Sequence, residues 1–343
     1  MNEIQLGLDT FGDVTLDDDG NRLSDAQTIR NVVAQAVLAD DVGLSFFGVG
    51  EHHRPEFAVS SPEIVLAAAA SVTNNIHLGT AVTVLSSDDP VRVYERFATL
   101  DAVSNGRAEV ILGRGSFIES FPLFGYDLRD YEVLFDEKLD LFSQLLTEKP
   151  VSWQGTTRAP LEQADVFPKT EKGITAWVGV GGSPESVVRT ARYGYGLMLA
   201  IIGGPAHRFR PFVDLYHRSL TSFGRETLPI GLHSPGHIAD TDQQAWDEAY
   251  AGFEAMNNTI GRERGWPTYN RLRFQHDVGP EGALYVGSPE TVAKKIVDSV
   301  RTLDAQRFDL KFSTGTLSHE KLMRSIELYG TKVAPLVREM LAT

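Results

Sequence analysis

Short apolar runs closed by turn residues alternate along the chain with longer stretches in which apolar side chains recur every three to four positions. The short runs predict β-strands at 4–9, 45–50, 76–82, 107–113, 175–181, 196–202, 229–238 and 307–313. Helix starts between them share one grammar. It reads Ser61-Pro62-Glu63, then Asp89-Pro90 ahead of Val91 to Val103, then Pro184-Glu185. It returns as Ser288-Pro289-Glu290 ahead of Val292, Lys295, Ile296, Ser299 and Val300. A capping side chain, a proline in the first turn where its missing N–H is no loss, and an acid facing the helix dipole explain the repetition.

Strands alternating with helices build a parallel sheet covered by helices. Eight of them predict an α/β fold of the (β/α)8 TIM-barrel type, with a doubly wound open sheet as the alternative. Two spacings exceed an ordinary connection and predict insertions after strands 4 and 7, over about 149–174 and about 262–306. No Gly/Ser-rich or Pro-rich linker and no low-complexity segment divides the chain, so one domain over 1–343 is expected.

Composition narrows the classes. The 343 residues carry 46 acidic against 32 basic side chains, a formal charge of −14 that argues against a nucleic-acid binder. The absence of cysteine excludes disulfides, thiolate metal sites and cysteine nucleophiles. The first ten residues include Glu3 and Asp9 and lack the basic-then-apolar order of a secretory signal. The longest apolar run, Ile64 to Val72, is far short of the roughly 18 residues a membrane helix needs, so a cytoplasmic protein is expected.

In a (β/α)8 barrel the chemistry gathers at the C-terminal ends of the strands. After the second run stands Glu51-His52-His53-Arg54, in which His52 shares the parity of Phe46, Gly48 and Gly50. That places His52 on the inner face with room for a ligand beside it, as a proton-exchanging group or as a structural histidine satisfied by a carbonyl. After the fourth run comes Gly113-Arg114-Gly115-Ser116: a guanidinium between glycines suits phosphate, but pairs equally well with a carboxylate such as Glu51 or Glu109. The segment from Val178 through Gly181, Gly182 and Ser183 to Ser186 turns from strand into helix, and unpaired amides there, with two hydroxyls, make an anion site or simply a tight turn. Pro184 interrupts the dinucleotide glycine pattern. His233 and His237 flank Ser234-Pro235-Gly236 without metal-ligand spacing, so no metal is expected. Phe117, Phe121, Phe124 and Tyr126 form a pocket wall or belong to the core.

These segments, taken with others, resemble the bacterial luciferase-like flavin monooxygenase family. The resemblance rests on Gly50-Glu51-His52-His53, Leu78-Gly79-Thr80-Ala81-Val82, Asp89-Pro90-Val91-Arg92, Leu100-Asp101, Ser104-Asn105-Gly106-Arg107, Gly113-Arg114-Gly115 and Phe124-Gly125, in family order. It continues more weakly through Trp177 to Ile202 and at Gly287-Ser288-Pro289. It implies a barrel that binds flavin mononucleotide (FMN), with His52 near the isoalloxazine and a non-proline cis bond at Ala81-Val82 under the ring. Arg114, Ser116, Gly182, Ser183 and Ser186 then lie at the phosphate end.

The resemblance further implies that reduced FMN, delivered by a separate NAD(P)H-dependent flavin reductase, reacts with O2 at C4a. The hydroperoxide then oxygenates a small organic substrate, in a protein that forms a homodimer. Separately, the glycines Gly261, Gly265, Gly279 and Gly282 in and beside the 262–287 segment suit a lid that closes over the site. Gly113 replaces the reactive cysteine of the luciferase α chain, leaving space beside the flavin, and Ser120 replaces an acidic position, which argues against light emission. Ala200 replaces a flavin-contacting serine, and Gly182 a glutamate. Alternatives are a deazaflavin (F420)-dependent hydride-transfer enzyme, a non-catalytic flavin-binding protein, and a barrel enzyme acting on a sugar phosphate.

Overall fold

Inner and outer faces of the strands divide the sequence between two environments. The computed structural model describes residues 3–17, 19–115 and 117–342. Its barrel strands, numbered here β1 to β8, are Gln5–Thr10, Phe46–Val49, His77–Thr80, Ala108–Gly113, Thr175–Val180, Gly196–Ala200, Ile230–Ile238 and Arg307–Lys311. All pair in parallel with their neighbours, and β1 pairs with β8 as well as β2, so the sheet closes on itself. Closure rules out the doubly wound alternative, because an open sheet has two unpaired edges.

Outward positions such as Leu6, Leu8, Phe47, Val110, Leu112, Val178, Leu199, Phe308 and Leu310 pack with apolar helix residues into one large core. Inward positions form a second, small apolar cluster of Phe46, Ile111, Trp177 and Met198, with Val82 against it. Between and above these, the interior is lined by glycine and charge: Gly7 and Asp9 on β1, Gly48 on β2, Glu109 and Gly113 on β4, and Arg307, Asp309 and Lys311 on β8.

The expected strand 76–82 stops at Thr80. The next bond but one, Ala81-Val82, is cis, after which Thr83–Val84 resumes pairing against β4. The helix starts follow the predicted grammar with one exception. Asp89 accepts hydrogen bonds from the Val91 and Arg92 amides and Ser183 from the Ser186 amide, but the Ser61 hydroxyl makes no capping bond ahead of the Pro62–Ala70 helix.

Between β4 and β5 lie the helix Tyr131–Leu145 and an antiparallel hairpin, Val151–Trp153 with Leu161–Ala164. Between β7 and β8 lie the helices Asp242–Arg264, Arg271–Val278 and Pro289–Leu303, with the strand Tyr285–Gly287 extending the sheet beside the end of β7. Among the described residues, no helix is long and apolar enough to cross a membrane.

Candidate functional site

The end of β5 runs straight into a helix. Gly181 and Gly182 lead to Ser183, which caps the Pro184–Tyr193 helix; a Cβ built on either glycine would meet nothing within 4 Å, so the space above this turn is open. Ser186, in the first turn, is buried and its Oγ has no hydrogen-bond partner. A buried hydroxyl without a partner is unfavourable unless something else uses it. Two guanidinium groups stand close by. Arg114, from the end of β4, pairs with Glu132 and lies over the Tyr131 ring. Arg189, one turn further along the helix, pairs with Glu132 and Asp136 and has a buried Nη1 with no partner. Arg114 thus pairs with neither Glu51 nor Glu109. Together the open glycine turn, the orphaned hydroxyl, the helix start and the two cations suit a phosphate-sized anion. Ser116 lies outside the described residues.

His52 occupies a different chamber. β2 ends at Val49, so strand parity does not orient the histidine; the loop that follows does. Its ring is surrounded by Phe11 at 4.7 Å, Phe57 at 4.6 Å and Phe117 at 4.9 Å between centroids. His52 Nδ1 lies 3.7 Å from Glu119 Oε1. Burial raises the Glu119 carboxyl, and the imidazole, its own backbone amide and Arg54 together more than offset it, leaving the carboxyl below its ordinary range. The carboxylate beside His52 is thus Glu119, one residue before Ser120, whose hydroxyl is buried without a partner.

His53 turns the other way. It meets Glu51 at 2.9 Å and the edge of Phe124, and Glu51 also accepts from the Val84 amide, bracing the loop that follows the cis bond. Of the four aromatic residues after Arg114, Phe117 lines the His52 chamber, Phe121 is buried against Tyr131, Phe124 is half exposed, and Tyr126 covers the buried ammonium of Lys138.

Gly113 does not leave the gap expected of it. A Cβ there would lie 2.4 Å from Val82 Cγ2, and one at Gly179 would lie 3.1 Å from Val82 Cγ1. The missing side chains are the space that Val82 fills, and Val82 packs there against the inner apolar cluster of Phe46, Ile111, Trp177 and Met198. Ala200 ends β6, half-buried.

The 262–287 segment reaches the site at its start. Glu263 receives both terminal nitrogens of Arg54, with Nη1 to Oε2 at 2.8 Å, and Arg264 lies over the same Phe117 ring that Arg54 covers. The rest packs firmly: Tyr269, Phe274, Val278, Leu284 and Val286 share a buried cluster with Ala245, Ala249 and Phe253 of the preceding helix.

Two polar assemblies inside the barrel escape a reading by sequence spacing. Near the N-terminal ends of the strands, Arg307 is fully buried between the rings of Phe46 and Trp177. It donates to Glu109 at 2.6 Å and to both oxygens of Asp309 at 2.9 Å. Burial raises Glu109, but Arg307, together with His77 at 3.0 Å, outweighs it and holds the carboxyl at about 2, whereas Asp309 is pushed up to about 6 by burial. Nearer the C-terminal face, Asp9 Oδ2 lies 2.7 Å from His233 Nδ1, and Lys311 donates to both oxygens of Asp13 at 2.7 and 2.9 Å. Among the described residues, no group of three or more histidine or carboxylate side chains is arranged to hold a metal.

Comparison with known proteins agrees with this geometry. Residues 10–306 match the luciferase-like monooxygenase profile. The alkanal monooxygenase alpha chain of the Kryptophanaron alfredi symbiont is 23% identical over 96% of this chain and 98% of its own length. Limonene 1,2-monooxygenase of Rhodococcus erythropolis is 32% identical over 75% of this chain and 68% of its own.

Among solved structures, monooxygenase RslO1 from Streptomyces bottropensis superposes with a TM-score of 0.84 at 22% identity, covering 97% of this chain and 99% of that one. The oxygenating constituent of 3,6-diketocamphane monooxygenase from Pseudomonas putida, solved with FMN, superposes at 0.76 and 18% identity, covering 97% and 98%. The coenzyme F420-dependent tetrahydromethanopterin reductase of Methanopyrus kandleri superposes at 0.73 and 19% identity, covering 97% and 99%. With the profile spanning most of its length, the chain belongs to the luciferase-like monooxygenase family.

Proposed function

We propose that this chain is a flavin-dependent monooxygenase. It takes reduced FMN from a separate NAD(P)H-dependent reductase and uses O2 to oxygenate a small organic substrate. The observation that carries the reading is the orphaned Ser186 hydroxyl, at a helix start with an open glycine turn and two arginines beside it. With it goes a chamber of aromatic rings around one histidine, in the loop after β2. A phosphate at one end and a flat apolar ring system at the other match FMN.

When bound, reduced flavin supplies the electrons that activate oxygen. The protein's share is positional and electrostatic. Ser183, Ser186, the Gly182 amide and Arg114 hold the phosphate. Ala81 and Val82 present a flat backing. Phe11, Phe57 and Phe117 keep water away, and His52, with Glu119 at its Nδ1, holds a proton where the substrate reacts. The aromatic lining suits an uncharged, largely apolar substrate.

The deazaflavin reading shares the fold and the phosphate end. Its longer anionic tail calls for further cations near the mouth beyond Arg114 and Arg189, and Arg54 is matched by Glu56 and Glu263. A homodimer through the exposed apolar positions Ile64 and Val103, on the helices after β2 and β3, belongs to the same proposal.

The test is anaerobic titration of the purified chain with reduced FMN, followed by rapid mixing with O2 and a screen of apolar substrates for incorporation of one oxygen atom. Saturable binding with oxygen transfer is the expected result. Retention of F420 with no affinity for FMN moves the assignment to hydride transfer, and affinity for neither removes the flavin reading.

A further inference from the structure

The functions assigned above leave the Asp9–His233 pair unused. Asp9 is fully buried on β1; its Oδ2 holds His233 Nδ1 at 2.7 Å, and its Oδ1 has no hydrogen-bond partner. The two residues come from strands separated by β8. Asp9 lies in register with Lys311 and Gly48, and His233 with Asp309 and with Ala200, the residue that ends β6. The His233 side chain keeps 13% of its surface accessible. Its ring stacks at 17° on Phe11, with centroids 6.4 Å apart, and the same Phe11 ring meets His52 at 4.7 Å. His233 therefore borders the His52 chamber from the barrel floor. Nε2, the nitrogen that Asp9 does not hold, makes no hydrogen bond among the described residues.

This is the construction of an oriented imidazole. A carboxylate on one nitrogen fixes the ring and favours the protonated form, leaving the other nitrogen to face a ligand. The charged groups around it are Asp9 on β1, and Asp309 and Lys311 on β8. Burial lowers the imidazole's pKa, Asp9 and Asp309 raise it and Lys311 opposes them, with a net rise above the ordinary histidine value. Lys311 is itself committed to Asp13.

We propose that His233 is a cationic hydrogen-bond donor to the negative charge of bound reduced flavin, with Asp9 as its positioning residue. The inference rests on the flavin reading above. Reduced flavin gives up a ring proton and spreads the resulting charge over ring nitrogen and carbonyl oxygen, whereas the oxidised ring is neutral. A donor at Nε2 therefore favours the reduced form, and it acts at the ring end, away from the phosphate held by Ser183 and Ser186.

The test compares affinities for oxidised and reduced FMN, measured anaerobically, in the unsubstituted protein, His233→Gln and Asp9→Asn. Gln keeps a neutral amide near Nε2 and Asn keeps the shape of Asp9, so both variants preserve the packing. Removal of the cation should cut the preference for reduced over oxidised flavin by about tenfold, with affinity for oxidised FMN unchanged. For a two-electron couple, tenfold moves the potential of the bound flavin about 30 mV more negative. In the flavin-free protein, nitrogen-resolved NMR titration should show His233 holding its proton above the ordinary histidine range, and Asp9→Asn should lower the midpoint. An unchanged preference in both variants, with flavin still bound, overturns the role of His233 alone. Failure of the unsubstituted protein to bind either redox form overturns the flavin reading as well.

Discussion

Substitution of Ser186 by alanine separates a ligand-binding hydroxyl from a structural one. In the free protein its Oγ is buried without a partner, so truncation removes an unsatisfied group and breaks no bond. Ser183, by contrast, caps the helix with its side chain, and its loss mixes a folding penalty of about 0.5–2 kcal/mol into any binding measurement. A hydroxyl donating to phosphate contributes about 1.5–3 kcal/mol, because the acceptor is charged. At 1.4 kcal/mol per decade, Ser186→Ala should weaken FMN binding roughly 10- to 100-fold.

Riboflavin, which lacks the phosphate, provides the control. Its affinity should be the same in both proteins, and urea unfolding of the free variant should show equal or slightly greater stability. Arg114→Ala should give a smaller loss, of about 1 kcal/mol, since Arg114 is partly exposed and shared with Glu132. Equal losses for FMN and riboflavin, or a free variant destabilised by more than about 1 kcal/mol, would refute the reasoning.

Other outcomes follow from the same geometry. His52→Ala should lower turnover by about 100-fold or more with FMN affinity retained, measured by single-turnover kinetics after anaerobic loading; a comparable loss of binding would remove its proton-handling role. Gly113→Ala forces a Cβ against Val82 and should cost about 1–3 kcal/mol in urea unfolding, with Val82→Ala in the same chain restoring most of it.

Arg307→Met leaves Asp309 buried without a cation, and Glu109 with only the half-exposed His77, and should cost roughly 3–5 kcal/mol at pH 8. Asp309 is already pushed up to about 6 by burial with the guanidinium in place; without it the carboxyl rises further above its unfolded value, so the deficit grows as pH rises through that window and shrinks towards pH 5. In the unsubstituted protein, Glu109 acts in the opposite sense: its carboxyl is held at about 2, so its contribution is present above the ordinary carboxylate range and is lost as pH falls towards 2. Denaturant midpoints of the variant at pH 5 and pH 8 check the first sign and those of the unsubstituted protein at pH 5 and pH 3 the second, and a variant deficit independent of pH would contradict the assignment.

The strands were legible because their outward faces are apolar and helix-covered, which gives each a run such as Val110-Ile111-Leu112 ending in glycine. The helix starts were legible because Asp89, Ser183 and Ser288 cap them with local hydrogen bonds. What spacing alone misses is the inner face. In β8, Arg307, Asp309 and Lys311 alternate with Phe308 and Leu310, a pattern that in an ordinary half-exposed strand puts charge into water. Closure reverses that, directing the charges inward where they find Glu109 and Asp13. The Asp9–His233 pair was invisible for a related reason, since its members lie 224 positions apart and meet only once the ring is complete. The cis bond at Ala81-Val82 was legible through the family resemblance, but that Val82 fills the Gly113 gap was not, since the two residues meet only in the folded chain.

The seam of that ring has a consequence for biosynthesis. β1 pairs with β8, Gln5 opposite Arg307, so a first strand carrying Asp9 leaves the ribosome almost a whole chain before its partner. At about 5–20 residues per second it waits roughly 15–60 s with one edge unpaired, while β2 to β7 assemble beside it. Asp9 and Asp13, buried in the finished barrel, are hydrated carboxylates during that interval, and charge on an exposed strand discourages pairing with a neighbouring nascent chain. The residues that complete the barrel floor thus double as a solubility guard on the strand that must wait longest.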